Sequence, residues 1–411
     1  MNAVRGVKPV NWKAYAIISL LALVGISVVA GVTKLWVLTA IPVGFLFGFF
    51  LQKGDLCGAS AFSEVLLMKD WRKVFGVWVV VATSMVGFAV LDGLGWVQLA
   101  PKPLLWVNYL IGGLVFGVGT VLAGGCVSGC LFKAGAGNLN SMVGLLGMFF
   151  GIAVVEYGPL RAAFQSAQKT FVVKAADGGP VTLSSVLGVP FGILAVVIAL
   201  VTLVVAVVRG RGKGGEPAER QPFSFARAMT AAHWKPWQAG LLIGLLNVPA
   251  YLSSAATGRN YPLGVTHGVL QSGLLLTDGN LKHGYQKPPP PPPPTAAQPL
   301  PLPPGVVPQK KVSWWLILVV TFVVVGAWVA AKMSGQAKLL PKPPDQTVIA
   351  FFGGLLVGGG AAFGTGCVIG NIMSGWALMS VGMILFGVMT VLGNWIATYF
   401  YLMGGGLSFD R

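Results

Sequence analysis

Ten apolar runs divide this 411-residue chain, at roughly 14–32, 35–51, 74–91, 104–123, 139–157, 187–208, 237–252, 314–331, 347–363 and 376–403. Helices of about 17–25 apolar residues match the hydrocarbon thickness of a bilayer. Hydrophobic residues make up 55% of the chain and charged ones only 9%. A soluble domain has no use for so much apolar surface, so the solvent must be lipid. The expected fold class is an all-α polytopic membrane protein. Arg5, Lys8 and Lys13 flank the first run as they would in a signal peptide, but no small-residue cleavage site follows it. It is read as a helix.

The net charge of +17 could point to nucleic acid. Its placement says otherwise, because the cations fall in the loops between runs. Of the 28 Lys and Arg, eighteen lie on the side shared by the two termini and ten on the other. The positive-inside rule then makes both termini cytoplasmic in a cell (inner or plasma) membrane. Two loops stand apart. Residues 209–236 are basic and should face anionic lipid, and 287–309 contain seven consecutive prolines, Pro288–Pro294, expected outside the membrane.

One segment is written twice. Gly112–Gly129 (GGLVFGVGTVLAGGCVSG) and Gly353–Gly370 (GGLLVGGGAAFGTGCVIG) align at an offset of 241, pairing Gly125 with Gly366, Cys126 with Cys367 and Gly129 with Gly370. Each reads as an apolar helix that breaks at glycines and places a thiol just past the break. Gly44–Ser63 matches Gly240–Arg259 more weakly, with Cys57 opposite Ser253. Five runs per half force the second copy to enter from the opposite face. The expectation is two inverted five-helix repeats with short re-entrant helices around a central pore. The expected divisions are an extra amino-terminal helix at 1–34, a first repeat at 35–160, a linking helix and basic loop at 161–236, and a second repeat at 237–403. Broken helices in corresponding positions of two halves point to a midplane substrate site.

Four cysteines in a chain of this size do not form a disulfide framework. Cys57, Cys126 and Cys367 all follow glycine-containing breaks. The runs lack the buried Asp, Glu and His chain of a proton relay, and the sequence holds no phosphate loop, serine-hydrolase elbow or metal-spaced cluster. Thiols, helix starts with free N–H groups, and amides such as Asn371 and Asn247 are what remain. Helix starts attract anions, and a thiol is soft and donates weakly. Together they suit an anion with a soft end, such as a terminal sulfur or selenium.

The stretches GFFLQKGDLCGASAF (48–62), GGLVFGVGTVLAGGCVSG (112–129), ATGRNYPLGVT (256–266) and GGLLVGGGAAFGTGCVIGN (353–371) closely resemble the YeeE/YedE sulfur-transport family. The resemblance runs in order from about residue 39 to 400. It implies thiosulfate uptake, with the ion handed between cysteines by weak S–H···S hydrogen bonds, and carries that role to Cys57, Cys126 and Cys367. Supporting pore backbone is expected from Gly125, Gly129, Gly366, Gly370 and Asn371, and an external entrance at Arg259. The sequence departs from the family at Asp55 and at Ser63-Glu64, where basic residues and an Arg-Asp pair are usual, and at Cys130.

The expected function is therefore a thiosulfate permease, not an enzyme, with no metal, cofactor or nucleic acid. Its partners are thiosulfate, membrane lipid and, at the exit, a cytoplasmic sulfur-carrier protein. The alternatives are a permease for selenium or other small sulfur oxyanions, and a membrane thiol oxidoreductase using Cys126 and Cys130. The second is disfavoured because residues four apart on a helix rarely reach disulfide geometry.

Overall fold

The computed structural model describes residues 12–175, 178–211, 225–285, 310–339 and 343–404. The proline-rich stretch and residues 212–224 of the basic loop lie outside that set. The first half contains α1 (Trp12–Thr33), α2 (Ala40–Gly54), α3 (Gly58–Met68), α4 (Arg72–Gly93), α5 (Trp106–Leu122), α6 (Val127–Gly135) and α7 (Leu139–Glu156). Two short helices, α8 (Arg161–Thr170) and α9 (Leu183–Leu187), lead to α10 (Phe191–Arg211) and α11 (Phe225–Thr230). The second half contains α12 (Pro236–Ala256), α13 (Thr266–Thr277), α14 (Trp314–Met333), α15 (Pro344–Phe363), α16 (Ser374–Ala377) and α17 (Val381–Ala397). A π-helical turn, Val368–Met373, precedes α16.

Ten helical stretches among the described residues are long and apolar enough to cross a membrane, matching the ten apolar runs. Three of them, 36–68, 106–135 and 344–377, exceed 29 residues because each joins a membrane helix to a short helix beyond a break. The last span starts later than its apolar run, at Val381. Met379 takes a positive φ of 55° and Ser380 is the N-cap of α17, so residues 376 and 377 belong to the preceding short helix.

The helices α1 and α10 bury only 6% of their apolar windows, whereas the other eight spans bury 39–61%. Lipid is therefore the main environment of these two. The interior is built by reciprocal pairs: α2 packs on α14 as α4 packs on α12, and α5 packs on α17 as α7 packs on α15. At the centre α5 crosses α15. A β-carbon at Gly119 would lie 2.6 Å from the Val357 nitrogen, and one at Gly360 would lie 2.5 Å from the Phe116 nitrogen. These two glycines are equivalent in the repeated segment, as are Phe116 and Val357. Such contacts exist only without a side chain, and they are the close backbone approach by which membrane helices associate.

Candidate functional site: three cysteine-capped helix breaks

The two copies of the repeated segment break in the same way. After α5 the chain enters the left-handed region at Gly124, with φ 67°, and after α15 at Thr365, with φ 59°. A non-glycine residue there costs roughly 1–2 kcal/mol, so Thr365 must be held. The Lys102 ammonium donates to the Thr365 carbonyl, to its hydroxyl at 3.3 Å and to Asn371 Oδ1 at 3.1 Å. Asn371 Nδ2 then donates to the carbonyls of Gly364 at 2.7 Å and Gly366 at 3.2 Å. In the first copy Lys133 donates to the Gly124 carbonyl at 2.6 Å. Cys130 Sγ faces the carbonyls of Ala123 at 3.8 Å and Gly125 at 3.6 Å. The same three carbonyls are clasped in each copy, by a lysine and one further side chain.

Beyond each break a cysteine opens the next helix. Cys126 is the N-cap of α6, Cys367 that of the π-helical turn, and Cys57 that of α3, each with extended backbone and no capping bond from its own side chain. All four cysteines are unpaired, and all are fully buried.

The fold gathers these three helix starts. A β-carbon at Gly129 would collide with Cys57 Sγ and lie 3.6 Å from Cys126 Sγ, so the two sulfurs stand side by side over a glycine. One at Gly58 would lie 2.6 Å from Cγ1 of Val368, the residue after Cys367. Cys126 Sγ also lies 3.4 Å from the Ser128 hydroxyl. What sequence spacing did not reveal is the side-by-side placement of Cys57 and Cys126, which depends on α3 and α6 folding back toward one another.

The second half is arranged differently from the sequence alignment. Ser253 lies within α12, bonded to Thr39 at 2.5 Å and to the Trp315 indole at 2.7 Å, so it is not the counterpart of Cys57. The N-cap of α13 is Val265. Around Gly370, where the first half has crowded sulfurs, a β-carbon would meet only the Gly264 Cα, at 3.9 Å. The alignment misplaced this residue because the second half inserts 257–265 between the broken helices, where the first half needs only Asp55–Cys57.

That inserted loop lines a cavity of about 330 Å³ together with Lys102, Thr365, Gly366 and Gly370. Arg259 donates to Ser254 Oγ at 3.1 Å and to the carbonyls of Tyr261 and Pro262 at 2.8 and 2.7 Å. It stacks 5.0 Å from Trp315, while Lys102 lies 4.9 Å from the Tyr261 ring. Neither cation forms an ion pair among the described residues. Burial pushes Lys102 down to about 7, with the Arg259 charge adding to the effect, and burial pushes Arg259 down to about 10. The Thr266 hydroxyl, on the same cavity wall, is buried without a partner. Two cations without a carboxylate and an unpaired hydroxyl suit an anion. Sequence reading missed Lys102 and Thr266, and the flanking Pro101 and Pro103 were the only local hint that residue 102 is held in place.

A second cavity of about 400 Å³ includes Asp55, Gly124, Lys133 and Lys338 in its lining. Lys73 bridges the two acidic departures, lying 2.6 Å from both Asp55 and Glu64.

Broken, glycine-packed membrane helices surround a buried cluster of thiols, and over them a family model described as Sulphur transport matches residues 53–396. The chain belongs to that family. It is 32% identical over 371 residues to the Thiosulfate transporter TsuA of Spirochaeta thermophila, covering 87% of this chain and 96% of that one. Over 370 residues it is 25% identical to the Thiosulfate transporter TsuA of Escherichia coli, covering 90% and 92%. A shorter match, 31% over 121 residues and 29% of each chain, is to the Probable transporter YedE of Escherichia coli. The protein is an integral membrane permease for sulfur compounds.

Proposed function

We propose that this permease takes thiosulfate into the cytoplasm through a pore lined by Cys57, Cys126 and Cys367. The observation that carries the reading is the placement of Cys57 and Cys126 side by side over Gly129, neither thiol capping the helix it opens. The names of the two full-length relatives support the substrate. The charge count across the loops supports an external location for the Arg259 cavity and a cytoplasmic one for the Lys133 cavity. The reciprocal packing of α5 with α17 and α7 with α15 supports two inverted repeats at 35–160 and 237–403, related by a two-fold axis in the membrane plane.

The dianion is collected at Lys102 and Arg259, whose charges raise its local concentration. It then passes Cys367 and the Gly370–Gly264 gap to reach Cys126 and Cys57. Each thiol donates S–H to the terminal sulfur. Hydrogen bonds to charged groups are worth about 1.5–3 kcal/mol and ordinary neutral ones about 0.5–1.5 kcal/mol. A thiol is a weak donor and carries no charge of its own, so at the centre it holds the ion less tightly than a buried cation would and can release it, as conduction requires. The ion leaves past Lys133, where a cytoplasmic sulfur-carrier protein would collect it.

Proteoliposomes loaded with unlabelled thiosulfate and exposed to the labelled ion test this directly. Counterflow should be competed by thiosulfate and far less by sulfate. Equal competition by sulfate would remove the role assigned to the soft sulfur.

A further inference from the structure

A groove of about 1760 Å³ runs between α4, α10 and α12, remote from the thiols. Its walls are apolar: Phe75, Val79 and Val86 recur on one face of α4, opposite Leu203 of α10 and Leu241 and Leu245 of α12. One end is basic and aromatic, with Lys69, Arg72 and Lys235 beside Trp71 and Trp237. Asp70 is the only acid in the lining, and it already pairs with Arg72 at 2.6 Å. At the other end Gly87 backs directly onto Val248, which closes the space. Arg72 to Gly87 spans about 22 Å at the rise of a helix, more than the ~15 Å that is half of a hydrocarbon core.

The helix α10 meets the rest of the protein mainly along α4, fastened by the Trp78 indole on Thr202 at 3.0 Å. Its opposite flank and the facing side of α12 do not close on each other. Leu203 and Leu245 remain 59% and 53% exposed. Two apolar faces held apart inside a membrane are filled by hydrocarbon, and interfacial tryptophans mark the level of the headgroups. A second copy of this chain would bring a further +17 toward the same cations. A phosphate-bearing headgroup answers them instead, because juxtamembrane Lys and Arg attract anionic lipid.

We propose that the groove holds an anionic phospholipid, its headgroup on Lys69, Arg72 and Lys235 and its acyl chain bridging α10 to α12. The site is separate from the pore and does not depend on the transported ion. It is tested by native mass spectrometry of the detergent-solubilised protein, titrated with phosphatidylglycerol or with phosphatidylcholine of the same acyl chains. Phosphatidylglycerol should be retained preferentially, and Lys69→Gln with Lys235→Gln should reduce that preference by about thirtyfold. Leu203→Trp, which fills the groove, should release both lipids, with circular dichroism reporting that each variant is folded. Equal retention of the two lipids by the unaltered protein would overturn the proposal. So would an undiminished preference in the folded double variant, or a lipid-free dimer.

Discussion

Cys130 and Asn371 do the same work in the two halves. The thiol of one and the amide of the other turn back onto equivalent pairs of carbonyls, Ala123 and Gly125 in the first break and Gly364 and Gly366 in the second. Cys130 is thereby separated in role from Cys57, Cys126 and Cys367, which open helices and clasp nothing. An amide N–H at 2.7 Å is a far better clasp than an S–H at 3.6–3.8 Å. Asn371→Ala should therefore lower unfolding stability by about 1–3 kcal/mol, and Cys130→Ala by less. Thermal unfolding in detergent reads the difference. Uptake by Cys130→Ala should stay close to that of the unaltered protein, and a total loss would return Cys130 to the pore.

Cys126→Ala and Cys367→Ala should each lose about tenfold or more of uptake while remaining folded. The loss of one hydrogen bond to the ion, about 1.5 kcal/mol, corresponds to roughly that factor. Transport at the normal rate by either variant, at matched expression, rules out a relay of thiols.

The glycine after each break gives an asymmetric outcome. Gly129→Ala drives a methyl group into Cys57 Sγ, whereas the same methyl at Gly370 makes only an ordinary contact, 3.9 Å from the Gly264 Cα. Overpacking of this kind costs about 1–3 kcal/mol. Gly129→Ala should depress both uptake and stability, and Gly370→Ala should leave stability unchanged. Equal effects on stability would show that the two breaks are crowded alike.

The pH dependence is set by Lys102. Its ammonium titrates at about 7 because it is desolvated and lies near Arg259. Uptake should fall as pH rises from 6 to 8, when the entrance loses one of its two charges. Stability moves the other way. The unfolded lysine keeps its proton up to about 10.4, so between about 7 and that value the unfolded state binds more protons, and this residue favours folding as pH increases. Lys102→Arg should flatten the uptake profile. An unchanged slope in that variant would assign the titration elsewhere.

Cys57→Ser should slow uptake. A membrane-impermeant thiol reagent should reach Cys57, as the sole remaining cysteine, from the cytoplasmic face. Labelling in right-side-out and inverted vesicles distinguishes the faces, and modification from outside alone would reverse the proposed pathway.

The ten spans, the repeated break and the three helix-opening cysteines could be read from the sequence because each is local. Apolar length fixes a span, a glycine-containing break fixes a turn, and the residue after the turn caps the next helix. Asn371 and Gly129 were legible through the same repeat. Lys102, Thr266 and Val265 were not. Lys102 reaches Thr365 across 263 positions, and nothing near residue 102 encodes which carbonyl its ammonium will meet. The mistaken pairing of Cys57 with Ser253 has the same origin, since an inserted loop changes which residue opens a helix without changing the pattern of the helices themselves. The chain's own pattern thus determined which segments cross the membrane and where they break. Only tertiary packing decided which side chains those breaks bring together, because the contacts join segments whose relative positions are set by the whole bundle.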